Sequence, residues 1–112
     1  MTKVEVLESV DTTRPNMVSY DTKLAWLNTV EKQIFDHMTQ FKETEVSLSE
    51  DELLLGTEYK DMYVYYVVSM IDLANQDIAM YNNSCSFFNE AFLDWKKKWR
   101  REHLPLDTKE RG

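Results

Sequence analysis

The chain has 112 residues, a mass of 13.3 kDa and a net charge of −7, enough for one domain with one modest core. Its 43% hydrophobic and 29% charged residues exclude a disordered tail and a membrane protein. Two Gly and two Pro are too few to punctuate a β-sandwich or barrel, so an all-α fold in one domain, 1–112, is predicted.

Residues 1–16 form a short N-terminal segment in which Val4, Leu7 and Val10 recur at helical spacing. A short helix is expected there, broken by Asp11-Thr-Thr-Arg-Pro-Asn, because Pro15 pushes Arg14 into an extended conformation. The acids among these first residues stand where a signal peptide would carry a basic patch, which predicts no secretion. The first clear helix is expected at about 19–42, capped by Ser19 or Asp21. Leu24, Leu27, Val30, Ile34, Met38 and Phe41 make its apolar face. Lys23, Glu31, Lys32, Asp36 and Lys42 are assigned to its solvent side. Trp26 and Phe35 lie off the stripe.

A polar connector follows. Ser49-Glu-Asp-Glu ahead of Leu53-Leu-Leu matches a capping box. From Thr57 to about His103 there is neither Gly nor Pro. Met70, Ala74, Ile78, Tyr81, Cys85, Phe88, Phe92, Trp95 and Trp99 follow at spacings of three and four, which predicts one long helix at about 57–103. Such a helix would be about 70 Å long, so a kink or packing against other copies is expected. Asn82-Asn83-Ser84, whose side chains compete for backbone hydrogen bonds, is the expected kink. The first-helix face from Leu27 to Met38 is expected to pack on the Met70–Phe92 stripe. Pro105 closes the element, leaving 104–112 as a flexible tail.

Charge is uneven along the chain. Residues 1–94 hold 6 Lys+Arg against 17 Asp+Glu, a net −11; residues 95–112 hold 7 against 3, a net +4. An acidic body argues against ordinary duplex-DNA binding. Lys96, Lys97, Lys98, Arg100 and Arg101 read either as a patch for a partner or as cations that complement a helix C-terminus. Trp95 and Trp99, four apart, would give a partner-binding face its apolar anchor, or would finish the core.

No constellation for catalysis, cofactor or metal emerges. His37 and His103 stand in different elements, and a lone Cys85 completes neither a metal set nor a disulfide. His37 reads as a surface residue and His103 as a helix-end residue. Cys85 lies on the apolar stripe, where cysteine behaves as a small hydrophobe. Two glycines cannot build a phosphate-cradling loop. The densest signal is aromatic: Tyr63, Tyr65, Tyr66 and Val67 belong to a segment that is apolar right round a helix. All-round burial needs neighbours on several sides, and these residues are expected at an interface between copies.

Several stretches in order look familiar: Val10-Asp-Thr-Thr-Arg-Pro-Asn, Tyr20-Asp-Thr-Lys-Leu-Ala-Trp-Leu, Leu48-Ser-Glu-Asp-Glu-Leu-Leu-Leu, Tyr59-Lys-Asp-Met-Tyr-Val-Tyr-Tyr, Met80-Tyr-Asn-Asn-Ser-Cys-Ser-Phe-Phe and Arg101-Glu-His-Leu-Pro. From about Leu7 to Pro105 the chain resembles the small head–tail connector, or head-completion adaptor, proteins of tailed phages and prophages of Gram-positive bacteria. Three tryptophans and the dense Lys-Lys-Lys-Trp-Arg-Arg end depart from that pattern. The resemblance implies a virion structural protein at the head–tail interface, made in the host cytoplasm, with no enzymatic activity and no cofactor. It implies a ring, commonly of twelve copies, that binds the portal protein on one side and a tail-side connector or tail terminator on the other. DNA would be only passing cargo in the channel, and no membrane would be involved. The alternative class is a small helical phage regulatory or protein-binding module.

Overall fold

The computed structural model describes residues 1–41 and 45–103. These form four α-helices, α1 (Lys3–Thr13), α2 (Tyr20–Met38), α3 (Lys60–Ala74) and α4 (Ile78–Glu102), with a single 3-10 turn at Thr57–Tyr59 leading into α3. The all-α expectation holds. Among the described residues no helix is long and apolar enough to cross a membrane. The expected solvent-side Lys42 and the tail 104–112 lie outside the described residues.

Three of the four described helix starts carry a side-chain cap. Thr2 and Glu5 form a capping box on α1: the Thr2 hydroxyl accepts from the Glu5 amide at 3.1 Å, and the Glu5 carboxylate accepts from the Thr2 amide at 3.3 Å. α1 runs to Thr13 and stops where Pro15 forces Arg14 out of helical geometry, at φ −137° and ψ 89°. Ser19 caps α2 by accepting from the Thr22 amide at 3.2 Å. That helix ends at Met38, short of the expected 42.

Ser49 behaves otherwise. Its hydroxyl accepts from the amides of Asp51 and Glu52, both at 3.2 Å, but no helix follows. The backbone beyond it pairs with the N-terminus instead: the Lys3 amide donates to the Asp51 carbonyl and the Leu53 amide to the Met1 carbonyl, each at 2.9 Å. This seats Leu53 and Leu55 in the core. A cap satisfies donors; it does not by itself make a helix when the following leucines bury better in an extended chain.

The expected long element is helical but folds back on itself. Its break is at Asn75-Gln-Asp, not at 82–84. Gln76 takes a left-handed φ of 58°, and Asp77 caps α4 by accepting from the Met80 amide at 3.1 Å. Asn82, Asn83 and Ser84 continue the helix. Ser84 is held there because its hydroxyl donates to buried Asp72 at 2.8 Å. The result is an antiparallel α3–α4 hairpin.

α3 is the central helix, and α1, α2 and α4 all pack on it. That arrangement accounts for its all-round apolar character and corrects the expected interface. Tyr63 and Val67 are fully buried inside the single chain, so they have no surface to offer a second copy. Tyr65 and Tyr66 are half-buried against Phe87 and Phe88, at ring-centroid distances of 5.2 and 5.0 Å. The neighbours that the pattern demanded are elements of the same chain.

The α2 face is buried as expected at Leu27, Val30, Ile34 and Met38, but its partner is α3 rather than a Met70–Phe92 stripe. Met70 is only half-buried and Ala74 exposed; the inward face of α3 runs through Tyr63, Val67 and Ile71. Two residues assigned to solvent are inside. Lys23 reaches Asp11 at 2.7 Å. Glu31, 2% exposed, accepts from the Tyr63 hydroxyl and from the Leu54 amide, both at 2.7 Å.

Candidate interaction surface at the end of helix α4

α4 has 25 residues and α3 has 15. At 1.5 Å per residue α4 is longer by about 15 Å. The 3-10 turn at Glu58 and Tyr59 and the first turn of α3 at Asp61 and Met62 share a groove with Ala91, Asp94, Trp95 and Lys98. The last turns of α4 therefore run past α3, and the basic cluster stands on them.

An aromatic ladder stiffens this end. Phe88, Phe92, Trp95, Trp99 and His103 follow every three or four residues, with successive ring centroids 5.2, 5.8, 6.0 and 3.6 Å apart. Phe88 and Trp95 are buried; Phe92 and Trp99 are half-buried. From the end of α2, the His37 ring meets Trp95 edge-on at 5.2 Å and Phe41 at 5.5 Å. Trp95 is thus a core residue, not a free anchor for a partner. Of the two tryptophans, Trp99 keeps some exposure; its indole nitrogen is buried with no hydrogen-bond acceptor among the described residues. His103 closes the ladder, its Nδ1–H donating to the Trp99 carbonyl at 2.9 Å.

His37 is not the surface residue that its sequence neighbours suggest. Its Nε2 is buried and has no hydrogen-bond partner among the described residues. Burial holds the ring below the usual histidine range. The Lys96 carbonyl pulls the other way, and the Lys96 and Arg100 charges add to the depression. The ring therefore sits neutral beside a cluster of cations.

The cations themselves are arranged for solvent. Lys97, Lys98, Arg100 and Arg101 are exposed and Lys96 is half-buried, its ammonium lying over the Phe92 ring at 4.7 Å. None of the five makes an ion pair among the described residues. Lys96, Lys97 and Arg100 line a groove of about 370 Å³ with His37, Gln40 and Leu93. A larger groove lies elsewhere, about 810 Å³ between the start of α1, α2 and residues 48–51, with Val4, Tyr20 and Leu48 half-exposed in it.

The interior holds two polar networks that the sequence did not reveal. Arg14, at the end of α1, forks onto Asp72: Nε lies 2.8 Å from Oδ1, with its N–H not aligned for a hydrogen bond, and Nη2 donates to Oδ2 at 3.3 Å. Ser84 donates to the same Oδ2, so one carboxylate ties α1, α3 and α4. In the second network Glu31 accepts from Tyr63, whose oxygen in turn accepts from the Leu55 amide at 3.4 Å. Burial raises the Glu31 carboxyl above its usual range, and burial with the adjacent Glu31 pushes the Tyr63 phenol up. Each network ties side chains from different elements, so both act as clamps in the core.

No group of three or more metal-ligating side chains comes together among the described residues. Cys85 is half-buried beside Asn89. Comparison with protein-family models, with curated proteins and with solved structures found no match to this chain.

Proposed function

We propose that the chain is a structural adaptor of a tailed phage, a non-enzymatic subunit of a ring beneath the portal that extends the DNA channel and docks the tail. The observation that carries this reading is the charge arrangement on the helical body. Residues 1–94 bear −11, residues 95–112 bear +4, and the cations lie on the overhanging, aromatic-stiffened end of α4 with no carboxylate to satisfy them among the described residues. An acidic body along a channel repels the DNA backbone and lets the genome pass without sticking. The basic end is the docking element for the portal, with Lys98 and Arg101 setting register and on-rate and the exposed edge of Trp99 adding apolar contact. Trp95, being buried, supports the ladder from within. The opposite side of the ring receives a tail-side connector or tail terminator.

The test is reconstitution of the protein with its portal, followed by negative-stain microscopy and mass measurement. A ring of adaptor density under the portal is expected, and a portal that stays bare at saturating protein overturns the reading. A gene lying beside a repressor, instead of between capsid and tail genes, would favour the regulatory module.

A further inference from the structure

The end of α4 has two flanks of opposite charge. Leu93, Lys96, Lys97 and Arg100 follow one side of the helix, and Ala91, Asp94 and Lys98 follow another. At 3.6 residues per turn these stripes lie roughly 145° apart around the axis. On the first, three cations meet no carboxylate in their groove, a net charge of +3 with His37 neutral. The second continues across two adjoining grooves that share Asp61, one between α3 and α4 and one between α1 and α3. There Glu5, Glu8, Glu58, Asp61 and Asp94 outnumber Lys60 and Lys98, five against two, a net charge of −3.

We infer that copies of the chain dock head to tail, the Lys96–Lys97–Arg100 flank of one copy lying on the Glu58–Asp61–Asp94 flank of the next. The inference rests on the ring reading above only for closure of the assembly. Two different surfaces on opposite sides of one element make a heterologous contact, which repeats from copy to copy and closes into a ring when the rotation allows. Each flank also offers one exposed apolar side chain, Leu93 at 49% on the basic side and Phe87 at 59%, one turn before Ala91, on the acidic side. Phe87 is braced by Tyr65. A leucine amid the cations suits a protein surface better than a phosphate backbone. A nucleic acid would satisfy the basic flank alone and be repelled by the other. This contact takes the place of the aromatic interface that α3 cannot supply, since Tyr63 and Val67 are buried in the core.

The experiment uses the full chain. Zero-length carbodiimide cross-linking of an equimolar mixture of isotope-labelled and unlabelled protein should join Lys96 or Lys97 of one copy to Glu58, Asp61 or Asp94 of another. These mixed-isotope products should fall about tenfold in salt near 1 M, where the Debye length is about 3 Å. Two exposed-residue variants then test complementarity: Lys97→Glu/Arg100→Glu, and Glu58→Lys/Asp61→Lys. Each alone should stay monomeric in sedimentation velocity while keeping its helical circular dichroism. Their mixture should associate, because the two intact flanks pair and the two reversed flanks are again opposite in charge. Should a reversal fail to fold, Lys97→Gln/Arg100→Gln serves in its place and should cut the cross-linked yield about tenfold. Inter-copy cross-links that map elsewhere, or a mixture no more associated than either variant alone, overturn the inference. A ring that survives both reversals overturns it while the adaptor reading stands. Flanks that pair into open chains with no ring under the portal uphold it while that reading falls.

Discussion

At the hairpin turn, Asp72 is 2% exposed and its charge is answered: Arg14 forks onto it and Ser84 donates to it. At the far end of α4, Lys97, Lys98, Arg100 and Arg101 stand in solvent with no counter-ion among the described residues. Water explains the contrast. A buried charge without a partner bears its full desolvation cost, whereas an exposed one is solvated and screened. The interior charges are therefore fixed by folding, and the terminal ones meet no partner among the described residues. Substitutions at the two ends should differ in size and in what they affect.

The largest loss is expected where no charge is involved. Ile34 is fully buried on α2 against the central helix, and Ile34→Ala should cost about 2–5 kcal/mol in urea denaturation. A value near zero would show that α2 does not carry the packing assigned to it. Next comes Asp72→Ala, which strands Arg14 and leaves the Ser84 hydroxyl only the Met80 and Tyr81 carbonyls as acceptors. Breaking a buried pair costs about 3–5 kcal/mol, but the Arg14 side chain is 27% exposed and water reaches it. About 2–3 kcal/mol is expected, with cooperative unfolding retained. Tyr63→Phe should follow at about 1–3 kcal/mol, because it leaves one oxygen of buried Glu31 and the Leu55 amide without a partner.

These interior residues also mark what the sequence could and could not tell. Periodicity identified the buried faces of α2 and α4 because an apolar stripe at three-and-four spacing is a property of the helix alone. It failed at Glu31 and Lys23, since charge predicts exposure and only tertiary contacts with Tyr63, Leu54 and Asp11 override it. The hairpin turn was missed for a related reason. Asn75-Gln-Asp and Asn82-Asn83-Ser84 have similar turn chemistry, and the second is the richer in hydrogen-bonding side chains. The choice between them depends on Ser84 finding Asp72 across the hairpin, a contact that exists only after folding. Asp77, three residues before Met80, was the one local signal for the true start of α4. At the candidate site, the basic cluster was fully legible from the chain, but its split into flanks was not. That split depends on where α3 begins beside α4. Trp95 stayed open between anchor and core because sequence cannot separate a tryptophan that finishes a core from one that waits for a partner; it is 3% exposed and finishes the core.

Acid titration separates two buried groups by sign. Burial depresses His37, with Lys96 and Arg100 adding to the shift, so the folded chain binds that proton less readily than the unfolded chain. The contribution of His37 is fully present above its ordinary value of 6.5 and is lost as the pH falls through the depressed folded value. Glu31 runs the other way. Burial raises it above its ordinary 4.5, so its contribution is fully present below that value and is lost as the pH rises through the raised folded value. Stability of the wild type should therefore fall between about pH 6.5 and the folded His37 value. His37→Gln should flatten that slope while leaving the region governed by Glu31 unchanged. A slope that persists in His37→Gln would place the titrating group elsewhere.

The smallest effects on stability belong to the cations, and their pattern decides between a helix-end role and a partner role. Arg100 and Arg101 occupy the last turn of α4, where a cation gains about 0.3–1 kcal/mol from the helix dipole, an effect that fades within one turn. Lys97 stands before that turn. If the cluster served only the dipole, Arg101→Ala would cost a few tenths of a kcal/mol, the cost would shrink with salt, and Lys97→Ala would cost nothing in any assay. If the cluster serves a partner, Lys97→Ala still leaves folding within about 0.5 kcal/mol, but it weakens association between chains as strongly as Arg100→Ala does. Thermal unfolding and inter-copy cross-linking measured on the same three variants separate the cases. Cross-linking that tracks position in the last turn, and not position on the flank, would return these charges to the helix end alone.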